Sequence, residues 1–232
     1  SALMHKLFTE GLHGEKQKKT EIGLVPESWE VLPLGELLTR TQYGLSIRGE
    51  DAGKYGILRM TNQTDGKIST EKMQFVNISK KDFEKYCLQR KDILFNRTNS
   101  LELVGRTAIF DIEGDYVFAS YLIRLNTNDD RLDAFFLNHY LNWDDTQSRL
   151  KTIALRAVSQ SNINATRLRS FQIPVPSPKE QTEIVMHVNT IINKIEIHQR
   201  KKQILEELFR TLLHQLMTGQ ARVNEIDLPG LS

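Results

Sequence analysis

Cysteine is almost missing from this sequence. The single thiol, Cys87, cannot close an internal disulfide, which favours a cytosolic home. No histidine stands near it, so a cysteine nucleophile is not expected. Long apolar runs are missing too: none approaches the roughly 20 residues of a membrane span, so no membrane partner is expected. No apolar stretch follows Ser1-Ala2-Leu3-Met4-His5-Lys6, so no signal peptide is read. The start on Ser1 rather than Met suggests a piece of something longer. Charge of one sign is also lacking. Thirty-one Lys and Arg face 29 Asp and Glu, a net charge of +2 over 232 residues. Net charge alone therefore does not announce nucleic acid, and the distribution has to be followed along the chain.

Catalytic signatures are scarce as well. Gly44 to Gly49 has the glycine spacing of a phosphate-cradling loop, but Glu50 and Asp51 follow and would repel phosphate. No Gly-rich turn with a downstream acid suggests a dinucleotide or methyl-donor pocket. There is no Asn/Asp-Pro-Pro-aromatic segment for base methylation, no Glu-x-Lys of a metal nuclease and no Gly-x-Ser-x-Gly. The six histidines (5, 13, 139, 187, 198 and 214) lack metal-ligand spacing. No cofactor or metal of its own is expected. The rival reading is a small nuclease or methyltransferase with an unrecognised motif. Incubation with DNA and Mg²⁺, or with a labelled methyl donor, would reveal it.

What is present falls into segments. Leu3, Leu7 and Phe8 lie on one face of a short helix that Gly11 stops. Glu15 to Thr20 is basic and polar and reads as a solvated linker. From Glu21, short apolar runs alternate with turn signals. Strand candidates are Tyr55–Met60, Asp92–Phe95, Thr107–Phe110 and Phe118–Leu125, with a turn at Asp65-Gly66. Asp133 to Leu141 reads as a short helix. The expected class is α+β, a curved mixed β-sheet with a few helices. Ile173-Pro174-Val175-Pro176-Ser177-Pro178 ends this region, because three prolines in five residues suit an extended connector.

A long helix follows. Ser177 is the expected N-cap, Pro178 the first helical residue and Glu180 the reciprocal capping carboxylate. Neither Gly nor Pro interrupts the chain again until Gly219. Ile184, Val188, Ile191, Ile195, Leu205, Phe209, Leu212 and Leu216 recur in steps of four and three, with His198 and Lys202 in the middle. This is a coiled-coil seam with a polar centre, and a seam that long demands a partner helix. The division is thus a helix tail and linker (1–20), one domain (21–176), the long helix (177–219) and a C-terminal tail (220–232). There is also an echo: Leu3-Met4-His5-Lys6-Leu7-Phe8-Thr9 matches Leu212-Leu213-His214-Gln215-Leu216-Met217-Thr218 at four of seven positions. Both copies precede a glycine. A parent with two tandem domain-plus-helix units explains it.

Charge is uneven. Arg40 to Arg106 holds 13 basic and eight acidic residues, and Thr146 to Lys179 holds six basic residues and no acid. Within the latter lies the polar run Ser159-Gln160-Ser161-Asn162. DNA binding needs cations at phosphates, with amides and guanidiniums at base edges. Arg97, Arg149, Lys151 and Arg156 are expected at the backbone. Tyr43, Ser46, Arg48, Lys54, Asn99, Ser159, Gln160 and Asn162 complete the expected interface, with base reading placed in loops, above all Gln42 to Lys54. Asp129, Asp130, Asp133, Asp144 and Asp145 should face away from DNA.

Several segments resemble one family, the DNA-specificity subunits of type I restriction-modification systems. Thr20-Glu21-Ile22-Gly23-Leu24-Val25-Pro26-Glu27-Ser28-Trp29-Glu30 with Leu34-Gly35 is similar to the opening of a target-recognition domain. Asp92-Ile93-Leu94-Phe95-Asn96-Arg97-Thr98-Asn99-Ser100 with Val104-Gly105-Arg106 resembles the mid-domain signature, although the family often has Gly where this chain has Lys91. Gln160 to Asn164, Ile173 to Pro176 and Glu180-Gln181 resemble the passage into the conserved helix. The resemblance implies a non-catalytic subunit that reads half of a split double-stranded DNA target. It implies modification subunits carrying S-adenosylmethionine and restriction subunits using Mg²⁺ and ATP. It also implies a C-terminal half or half-length subunit, whose helix pairs with a second copy when alone.

Overall fold

The computed structural model describes residues 2–97, 102–155 and 162–219. The chain opens with α1 (Ala2–Thr9) and a hairpin, β1 (Gln17–Thr20) and β2 (Gly23–Pro26), registered from Gln17↔Pro26 to Thr20↔Gly23. The polar stretch expected as a linker is therefore partly a strand. Its side chains stay largely exposed, and only main-chain groups need pairing, so polarity was no obstacle. β3 (Glu30–Pro33) pairs antiparallel with β13 (Gln172–Val175), which brings the start and end of the domain side by side.

The α+β class holds, with a mixed six-stranded sheet at its centre. Its order is β4 (Leu38–Tyr43), β12 (Leu122–Thr127), β9 (Ile93–Asn96), β10 (Thr107–Ile109), β7 (Lys67–Ile68), β6 (Gln63–Thr64). All pairs are antiparallel except β10 with β7. β9 is buried along its whole length, as a continuous apolar run in a central strand should be. Asp65 and Gly66 join β6 to β7 with φ of 49° and 79°, the paired positive angles that a tight two-residue hairpin turn requires. A smaller sheet runs β11 (Tyr116–Phe118), β5 (Tyr55–Leu58), β8 (Gln74–Val76). The expected strand from Phe118 to Leu125 is two strands. A turn closed by Leu122 N–H donating to Ala119 C=O sends β11 to one sheet and β12 to the other.

Ser79 caps α2 (Lys80–Tyr86), Asp133 caps α3 (Ala134–Asn142) and Asn164 caps α5 (Ala165–Arg169). α4 (Asp144–Leu155) was not foreseen. Asp144 and Asp145, expected as an acidic surface, occupy its first turn, where the helix dipole favours anions. Phe8 of α1 packs edge-on against Phe136 and Tyr140, at 5.7 and 5.4 Å between ring centres. Inside the main sheet Arg124 and Asp92 form a buried ion pair at 3.2 Å. Arg124 also donates to the carbonyls of Cys87 and Lys85 and to Gln42. Burial pulls the Arg124 pKa below its ordinary value, and Asp92 opposes the shift.

α6 (Pro178–Met217) spans 40 residues, roughly 60 Å at 1.5 Å per residue. Ser177 Oγ accepts from Glu180 N–H as expected of an N-cap. Glu180 does not reach back to close a capping box. Its carboxylate instead accepts from Trp29 Nε1 at 2.9 Å and from Leu12 N–H at 3.0 Å. Gln181 accepts from Asp133 N–H and donates to the carbonyls of Arg131 and Pro176. The chain divides into two compact units, Ser1–Met186 and His187–Ser232. Of the predicted seam, Ile184 and Val188 are buried, while Ile195, Leu205, Phe209 and Leu212 are exposed. No described helix is long and apolar enough to cross a membrane.

Candidate nucleic-acid interface

The polar face of the first unit is built where β4 and β9 end. Arg97, one residue past β9, lays its guanidinium over the Tyr43 ring at 5.0 Å. Its Nε donates to Ser120 C=O at 3.0 Å, and its N–H donates to Tyr121 C=O. Arg97 C=O accepts from Ile163 N–H, and Tyr43 Oη accepts from Ala165 N–H at 2.9 Å. Four segments distant in sequence therefore meet at one cation–π stack. Tyr43 remains 41% exposed and Tyr121 47%. Ser46, Ile47 and Arg48, also exposed, lie alongside, because Leu45 exchanges backbone bonds with Phe118 and Ser120.

Several arginines of this unit carry no ion pair. Among the described residues, Arg40, Arg48, Arg97 and Arg169 have no carboxylate within ion-pair distance. Arg169 donates only to neutral oxygens, Thr41 Oγ1 and Gly35 C=O, whereas Arg40 lies on the other side of β4 from Tyr43, where it and Gln42 both donate to Lys85 C=O. Elsewhere cations are neutralised. Arg90 pairs with Asp111 at 2.5 Å, Arg131 with Glu30 at 3.3 Å and Lys91 with Asp129 at 2.9 Å. The last pair shifts both partners: the hydrogen bond raises Lys91 and lowers Asp129. Lys91 has φ of 71°, a region where glycine is at ease, which accounts for the glycine usual at this place in the resembled family.

The expected residues do not all gather here. Tyr43, Ser46, Arg48 and Arg97 share the face. Asn162 is half-buried beside Ile163, with Oδ1 enclosed and lacking a partner in the described structure. Lys54 stands apart, its ammonium 5.0 Å from the Tyr55 ring centre; the hydrogen bond to Tyr55 raises its pKa. Arg149 is committed inside the domain. It donates to Tyr140 Oη and Gln172 C=O, both at 2.8 Å, and stacks on Phe171 at 4.4 Å. Tyr140 is buried, and desolvation pushes its phenol pKa up. Arg149 therefore ties α3, α4 and β13 together, away from the Tyr43 face. Lys151 is half-buried on α4. Asn99, Arg156, Ser159 and Gln160 lie outside the described residues. Arg169, within the acid-free stretch, was not singled out and Tyr121 was missed, because nothing in the sequence places their segments beside Tyr43. Among the described residues no group of three or more His, Cys, Asp or Glu is placed to hold a metal.

The first unit is thus a mixed-sheet domain with an exposed arginine–tyrosine stack. Comparison makes the assignment: residues 26–207 match the type I restriction modification DNA specificity domain, and the chain belongs to that family. It is 33% identical over 207 residues to a Methanocaldococcus jannaschii protein assigned provisionally as the type I restriction enzyme MjaX specificity subunit, covering 88% of this chain and 49% of that one. It is 28% identical over 166 residues to the type I restriction enzyme StySPI specificity subunit of Salmonella potsdam, covering 70% of this chain and 36% of that protein. The HsdS subunit from Thermoanaerobacter tengcongensis shares the fold at TM-score 0.59 and 17% identity, over 92% of this chain and 48% of that one. The chain thus spans about half the length of the curated relatives it matches.

Proposed function

We propose that this chain is one recognition module of a type I specificity subunit, reading one half of a split double-stranded DNA site and carrying out no catalysis. The observation that supports it is the Arg97–Tyr43 stack with Arg48 and Arg169 free of ion pairs, in a chain of this family. Arg48, Arg97 and Arg169 supply charge for phosphates. Ser46, Arg48 and Asn162 supply hydrogen-bonding groups for base edges. Modification subunits would bring S-adenosylmethionine and restriction subunits Mg²⁺ and ATP. We place the interface at Tyr43–Arg48, Arg97 and Asn162–Arg169, and assign Arg149 to the scaffold instead.

The exposed length of α6 is the assembly surface in this reading. Ile195, Leu205, Phe209 and Leu212 need a partner helix. In a two-unit parent the first unit's helix covers them. Alone, a second copy does so antiparallel, with His198 and Lys202 near the dyad. Arg97→Ala tests DNA recognition. Binding to duplex DNA should weaken for every sequence, and the salt dependence should flatten by about one ion. An unchanged slope for Arg97→Ala, Arg48→Ala and Arg169→Ala alike refutes the interface.

A further inference from the structure

We propose that the cleft beside residues 46–48 reads an A·T base pair, with Gln74 as its discriminating side chain. The inference rests on the DNA-binding reading and deepens it. Leu45 is tied to Phe118 and Ser120 by backbone hydrogen bonds of 2.8 Å, and Glu50 exchanges bonds of 2.9 and 2.8 Å with Phe75. Residues 46–49 are therefore a strap pinned at both ends. It borders a cleft of about 410 Å³ whose walls include Arg48, Ile57, Arg59, Gln74 and Tyr121.

Gln74 sits on β8 opposite Ile57, half-buried. Its carboxamide makes no hydrogen bond among the described residues. Several other carboxamide nitrogens of the domain are committed: Gln63 to Leu94 C=O, Gln147 to Gly105 and Leu141, Asn138 to Gly66. The amide is open to the cleft and free to bond a group that enters it. Its donor and acceptor match adenine N6 and N7 in the major groove, and an apolar rim suits the thymine methyl of the same pair. Tyr121 and Ile47 provide that rim, both exposed. Arg59 adds a cation to the cleft wall. Its Nη2 donates to Lys72 C=O, and its buried Nε has no partner in the described structure. Gly49 sets the position of Gln74. A Cβ there would lie 2.7 Å from both Cβ and Oε1 of Gln74.

The full chain should be used to select duplexes from a library of randomised base pairs, as wild type, Gln74→Ala, Gln74→Glu and Gly49→Ala. Wild type should return a motif with an A·T pair whose preference falls about tenfold in Gln74→Ala, the rest staying unchanged. Gln74→Glu keeps the size but loses the donor, and should move that position towards C·G. Gly49→Ala, which crowds Gln74 and Ile57, should relax the same position. If the motif is identical for all four proteins, the cleft assignment fails and DNA reading survives. If wild type itself returns no motif, the underlying reading fails.

Discussion

The two ends of α6 carry the same apolar periodicity and meet opposite fates. Near the start, Ile184 is fully buried, and Glu180 and Gln181 are enclosed and hydrogen-bonded to three separate segments. Near the end, Leu205 and Phe209 are 53% and 66% exposed. A heptad pattern says that a stripe must be covered. It does not say whether the cover comes from the same chain or another. The buried end is recognisable by what interrupts the pattern. Glu180 and Gln181 are polar residues whose bonds are satisfied only by tertiary neighbours, whereas the exposed end has local pairs such as Lys202–Glu206 at 3.8 Å.

Substitution should split the two ends sharply. Ile184→Ala should destabilise the first unit by about 2–5 kcal/mol in thermal or urea unfolding, whereas Phe209→Ala should leave that unit within about 0.5 kcal/mol of wild type. Equal losses at both positions would erase the distinction. Glu180→Ala strands the Trp29 indole N–H and the Leu12 amide, so a loss of about 3 kcal/mol is expected. A loss below about 1 kcal/mol would mean that these bonds do not anchor the helix.

The same contrast separates Arg149 from Arg97. Arg149→Ala should lower stability by about 1–3 kcal/mol through its lost hydrogen bonds and stacking on Phe171, with duplex affinity per folded molecule unchanged. A weakened, less salt-dependent affinity would return Arg149 to the interface. At the exposed end, Leu205→Asp should leave the melting of the first unit unmoved and abolish self-association in sedimentation at micromolar concentration. A wild-type chain that is monomeric there removes the homodimer reading.

The smallest effect belongs to the exposed Lys91–Asp129 pair. Asp129 is held below its ordinary value of 3.8, so its contribution is complete above that value and is lost as pH falls through the folded pKa. Lys91 is raised above 10.5, so its contribution is present below that pH and lost as pH rises through the folded value. Both are under about 1 kcal/mol at so exposed a site. Asp129→Asn should therefore trim stability slightly at neutral pH, and by progressively less as pH falls below 3.8. Lys91→Gly relieves the positive φ while losing the pair, and should fall within about 1 kcal/mol of wild type.

Local rules acting over a few residues were legible in the sequence. The Asp65-Gly66 turn, the Asp133 and Ser177 caps, the unbroken helix to Gly219 and the α+β alternation all follow from neighbours at fixed offsets. Family membership was legible too, through ordered motifs spread over the chain. The interface was legible only in part. Tyr43, Ser46, Arg48 and Arg97 were named, but so was Arg149, because a charge excess along the sequence resembles one in space. The stretch from Thr146 to Lys179 is divided among α4, α5 and β13, and folding turned one of its arginines inward. Gln74 and Tyr121 carried no signal at all, and Arg169 only its place in an acid-free stretch. Hydrogen bonds and rings from distant strands bring them to the face, and that convergence exists only once the sheets have formed. The sequence by itself determined the family, the class and the long helix, because these rest on local spacing. Tertiary structure alone decided which cations stay unpaired and which end of the helix is covered, because both depend on partners remote along the chain.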